Sequence, residues 1–72
     1  MKLAESLETL YRISHEVMGE GHIEAKEFTV DVVFNAISDL QDQNLPVTAE
    51  AIEKLVGQIA QDFKEVAESK VA

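Results

Sequence analysis

Residues 28–34 read FTVDVVF. Taken alone, the stretch is rich in β-branched and aromatic side chains and suits a strand. Its surroundings decide otherwise. Across 22–43, Glu24, Glu27, Asp31, Asn35, Ser38 and Asp42 recur at steps of three and four residues. On a helix they form one narrow polar stripe, whereas a strand would divide them between two faces. Most of the remainder is apolar: Ile23, Ala25, Phe28, Val30, Val32, Val33, Phe34, Ala36, Ile37 and Leu40. Lys26, Thr29, Asp39 and Gln41 interrupt an apolar arc of roughly two-thirds of the circumference, against the ~100° stripe of an ordinary surface helix. The window predicts a helix over 22–43 with more apolar surface than two neighbours need.

Two punctuation marks bound that helix. GEG at 19–21 stops one helix, and NLPVT at 44–48 breaks the chain and starts another. Before the first mark, Leu3, Leu7, Leu10, Ser14 and Val17 recur at three- and four-residue steps, with Glu8 and Arg12 paired at i, i+4 on the polar side. This predicts a helix over 2–18. After the second mark, Ile52, Leu55, Val56, Ile59, Ala60, Phe63, Val66 and Ala67 share one face, predicting a helix over 48–70. Thr48 is suited to its N-cap, Glu50 to its first turn, and Val47 with Ile52 to a hydrophobic staple. Glu50–Lys54 and Lys64–Glu68 have the spacing of ion pairs. Gly57 interrupts this helix at a position directed towards its polar side. The expected fold is all-α: a small three-helix antiparallel bundle forming one domain over 1–72.

Seventy-two residues build only a small core, and a chain of this length buries roughly 60% of its unfolded surface. There is no cysteine, so neither a disulfide nor a thiolate zinc cage can reinforce it. Well-packed helices or self-association must supply the difference, and a dimer is expected. The net charge is −8, spread evenly: residues 1–36 and 37–72 each hold three basic and seven acidic side chains. Such a chain offers no basic patch for nucleic acid or for an anionic membrane. Glu50 and Glu53, at the exposed start of the third helix, would repel phosphate rather than read DNA. No apolar run approaches the ~20 residues that span a bilayer. MKLAESLETL, residues 1–10, lacks the apolar region of a signal peptide. The expectation is a soluble cytoplasmic protein.

SHEVMGEGHIEAKE, residues 14–27, gathers both histidines, four glutamates and two of the three glycines. The metalloprotease pattern H-E-x-x-H fails, because Gly19 stands where the second histidine is required. His15 and His22 could still meet across the turn with Glu16 or Glu24, which makes a metal-binding protein one alternative. The plainer reading is a solvated turn, with Glu24 and Glu27 at the positive end of one helix dipole and His15 at the negative end of another. No cofactor is expected. Without a cysteine nucleophile, a phosphate-binding glycine loop or a serine with a recognisable partner base, an enzyme is not expected either.

What remains is contact. The leading expectation is an acidic helical interaction module, an adaptor, inhibitor or assembly factor, that binds through an apolar helix face and pairs first with a second copy of itself. A second alternative is an acidic decoy occupying a basic groove meant for nucleic acid. The second helix offers two flanks. Ile23, Val30, Val33, Phe34 and Ile37 form the flank expected to bind a partner; Phe28, Val32, Ala36 and Leu40 form the other. The expected core includes Leu7, Leu10, Val33, Ile37, Ile59 and Phe63.

Overall fold

The computed structural model describes residues 2–71, with side chains through residue 69; Met1 and Ala72, the ends of the expected domain, lie outside the described residues. Helix α1 (Leu3–Arg12) continues into a π-helical turn, Ile13–Val17, followed by α2 (His22–Asp42) and α3 (Ala49–Val71). Among the described residues there is no strand, and 28–34 are helical. The three helices pack against one another as an all-α bundle. Its extents of 38 × 25 × 19 Å suit helices lying side by side. The longest has 23 residues, which at 1.5 Å per residue spans about 35 Å.

The boundaries follow from local chemistry. Thr48 caps α3, its Oγ1 accepting from the amide of Ala51 at 3.1 Å. Asn44 follows α2 with φ of 57°, in the left-handed region. The amide of Leu45 reaches the carbonyl of Leu40 at 2.9 Å and that of Asn44 reaches Gln41 at 3.1 Å. This is a Schellman ending with asparagine in the position usually held by glycine. Gly19, at φ of 75°, turns the chain after the π segment. Glu8 and Arg12 pair at 3.2 Å. Among the described residues, Glu50–Lys54 and Lys64–Glu68 do not close as ion pairs.

The π turn was not expected. The amide of Met18 bonds to the carbonyl of Ile13, five residues back, at 3.0 Å. This wider turn retards the helical phase. Ile13 and Ser14 still face inward, but Val17, expected on the inward stripe, is 42% exposed.

Consecutive helices run antiparallel, so α1 and α3 run in the same direction. Their contact is the most extensive in the bundle. Ser6 of α1 stands opposite Gly57 of α3: a β-carbon built on Gly57 would lie 3.6 Å from Ser6 Oγ. Gly57 therefore faces α1 and not the polar side of its helix. The central cluster is Leu10, Val32, Ala36, Val56 and Ala60, with Leu7, Val33, Ile59 and Phe63 partly buried against it. Ile37 is half-buried, and Val66, expected on the inward face of α3, is exposed. Among the described residues, four of the nine buried apolar ones are alanines, and the largest fully buried side chains are Leu10, Val56, Ser6 and Ser14. Small side chains let the helices approach closely but remove little apolar area from water, so the core supplies modest stabilisation.

Candidate functional site

Because α1 and α3 pack on each other, both meet α2 from the same side. The flank of Val32, Ala36 and Leu40 is buried there. Phe28, half-buried on the same flank, sets its ring edge-on to Phe63 with centroids 5.3 Å apart. The opposite flank faces out: Ile23 is 67% exposed, Val30 50% and Phe34 61%. Val33 and Ile37, expected both in the core and on the binding flank, are half-buried at the boundary between them.

A shallow depression of about 170 Å3 runs along this boundary, lined by Leu7, Thr29, Val30, Val33 and Phe34. None of its lining residues is charged. Glu24, Glu27, Asp31, Asn35, Ser38 and Asp42 are all exposed, and they form an acidic border along one side of the apolar stripe. Leu7, placed among core residues from the α1 period, thus also floors the depression. Only a pairing of α1 with α2, which periodicity does not report, could have shown that.

The first turn assembles differently from a metal site. His15 stacks on the ring of Tyr11 with centroids 5.7 Å apart, and His22 meets the same ring edge-on at 5.5 Å. The Tyr11 hydroxyl donates to Nδ1 of His22, while Nδ1–H of His15 donates to the carbonyl of Glu20 at 2.9 Å. The two histidines converge on a tyrosine, each with one ring nitrogen engaged. Among the described residues, no three His, Asp or Glu side chains gather as metal ligands. The cluster ties the end of α1 to the start of α2. The three-residue aromatic contact needed Tyr11, which the sequence pairs only with its neighbour His15.

A groove of about 510 Å3 lies between the π turn and the end of α3, with Ile13, Val17 and Ala67 inside and Arg12, Lys64 and Glu68 at its edge. No described helix is long and apolar enough to cross a membrane. Fold and surface thus define a small three-helix bundle in which α2 carries an uncovered apolar face. Comparison of the chain with protein-family models, with curated proteins and with solved structures finds no match.

Proposed function

We propose that the protein is a cytoplasmic contact module without catalytic activity, acting through the exposed face of α2, and that its first partner is a second copy of itself. The observation that carries this reading is the outward stripe of Ile23, Val30 and Phe34. Large apolar side chains lying contiguously in water usually mark an interface. The choice of a second copy rests on two further points. The depression beside Phe34 has no charged lining, so two chains of net charge −8 can meet there with their carboxylates at the rim. The alanine-rich core leaves a stability deficit that association relieves, since burial against a partner adds to the folded state by mass action. In a symmetric pair the same stripe serves both protomers.

Light scattering across a dilution series tests the reading, together with thermal melts at several concentrations. A dimer that dissociates on dilution, with a melting temperature that rises with concentration, is the expected result. Phe34→Glu should give a folded monomer. Val32→Glu, a charge placed at a position only 5% exposed, should unfold the chain. A wild type that is monomeric throughout, with a flat melting temperature, would end the self-association reading.

A further inference from the structure

The outward stripe of α2 has two unlike edges. Glu24, Glu27 and Asp31, all exposed, follow one of them at steps of three and four residues. Lys26, Thr29 and Val33 follow the other, and across the uncharged depression beside Thr29 and Val33 stands Leu7 of α1. Between the edges, Ile23, Val30 and Ile37 recur every seven residues, which sets them nearly one above another on a helix. Phe34, 61% exposed, comes seven residues after Glu27 and so stands on the acidic side of that row. A helix can pair with its own copy across such a stripe in two ways, both isologous. In a parallel pair opposite edges meet, so the acidic edge of each helix lies against the Lys26 edge of the other. In an antiparallel pair like edges meet, acidic against acidic.

We propose that two copies join with their α2 helices parallel, each Phe34 ring seated in the other copy's depression between Leu7 and Val33. The inference deepens the self-association reading above and rests on it. Charge selects the parallel pair first. It sets Glu27 of each copy beside Lys26 of the other, and Lys26 joins no ion pair within its own chain among the described residues. Antiparallel pairing about Val30 would gather Glu27 and Asp31 of both copies on one edge with no cation between them; charges flanking a helix seam set orientation in this way. Shape points to the same pair. The depression measures about 170 Å3, and a void of about 150 Å3 is enough to hold a benzene ring. Long helical side chains lean towards the N-terminus of their own helix. In a parallel pair that lean carries the Phe34 ring to the level of Val30 and Val33 of the second copy, where the depression lies. In an antiparallel pair the ring would lie against Glu27 and Asp31. The row of Ile23, Val30 and Ile37 completes the seam, each residue meeting its counterpart, and β-branched side chains in such a row suit two parallel helices.

The chain has no cysteine, so single cysteines placed on the seam report its direction. Ile23→Cys and Val30→Cys are each oxidised mildly at a concentration where light scattering shows the dimer. Both should form disulfide-linked dimers, because every residue of a parallel seam faces its own copy. In an antiparallel pair about Val30 the two residues at position 23 would lie about 21 Å apart at 1.5 Å per residue, beyond the reach of a disulfide. Linkage through Val30→Cys alone would therefore overturn the proposal. Glu27→Lys should weaken association about two- to tenfold, the range of two partly exposed ion pairs, even though it lowers the net charge of each copy. The swapped variant Lys26→Glu/Glu27→Lys should restore it. Stronger association of Glu27→Lys would mean that acidic edges meet, and would sink the parallel pair. In a mixture of isotope-labelled and unlabelled chains, filtered NOEs should join the Phe34 ring of one copy to the Leu7 and Val33 methyls of the other; a folded dimer without them overturns the seat. A wild type that stays monomeric removes the self-association reading itself, whereas a dimer with the other linkage pattern removes only the parallel seat.

Discussion

Replacing Gly57 by alanine should stabilise the protein by about 1 kcal/mol. Glycine in a helix interior costs roughly that amount relative to alanine, because the unfolded chain loses more conformational freedom on folding. Gly57 lies well inside α3, nine residues after Thr48, so the full helical term applies. The opposing term is steric and can be read from the seam. Apart from its own helix, an added β-carbon has Ser6 Oγ as its one neighbour within 4 Å, at 3.6 Å. That is ordinary van der Waals contact, so the methyl enters without moving α1. For a domain of this size, 1 kcal/mol corresponds to about 4–8 °C in melting temperature. The assay is thermal unfolding by circular dichroism at one fixed concentration, since association would itself move the midpoint. Gly57→Leu is the companion variant: its larger side chain must push the helices apart, at a cost of about 1–3 kcal/mol. A drop in stability for Gly57→Ala would refute the reasoning, because α1 and α3 would then approach more closely than the seam between Ser6 and Gly57 allows.

Phe63 is half-buried against Phe28, so Phe63→Ala should cost about 2–3 kcal/mol in a denaturant melt, below the ~3–5 of a fully buried ring. A loss under about 1 kcal/mol would remove Phe63 from the packed set. Asn44→Ala should lose about 1 kcal/mol through the left-handed conformation at the end of α2, whereas Asn44→Gly should lose nothing; equal melts for the two would contradict the Schellman ending. The double variant His15→Ala/His22→Ala should keep its helical circular dichroism, and a chelator should leave the wild-type melt unchanged. Unfolding by chelator would revive a metal role for the turn.

The helices were legible because their signals are local. The polar stripe of α2, from Glu24 to Asp42, spans about five turns and outweighs the strand preference of seven residues at its centre. Thr48 and the Asn44 region mark ends through the hydrogen bonds that a short side chain or a left-handed residue can supply. The π turn was not legible, because ISHEV at 13–17 differs in no obvious way from an α-helical segment. The displacement of Val17 was lost with it. Gly57 was misplaced for a related reason: the apolar stripe of α3 predicts where large side chains go, and a close helix contact made by glycine and serine leaves no hydrophobic signature.

The same contact explains why the free face of α2 could not be chosen from sequence. Both flanks of that helix are apolar, and periodicity measures only how much apolar surface a helix has. Which flank is covered depends on the direction from which α1 and α3 arrive, and that is decided by how closely those two helices approach each other. Ser6 against Gly57 draws them together, so they meet α2 as one unit over Val32, Ala36 and Leu40. Had bulky residues stood at positions 6 and 57, α1 and α3 would have to spread further around α2, and Val30 and Phe34 would have more cover. The small residues of one seam and the exposed aromatic of another face are therefore linked. Widening the α1–α3 seam with Gly57→Leu should reduce the exposure of Phe34 and weaken self-association together with stability. Gly57→Ala, which leaves the seam in place, should strengthen the fold without touching the interface.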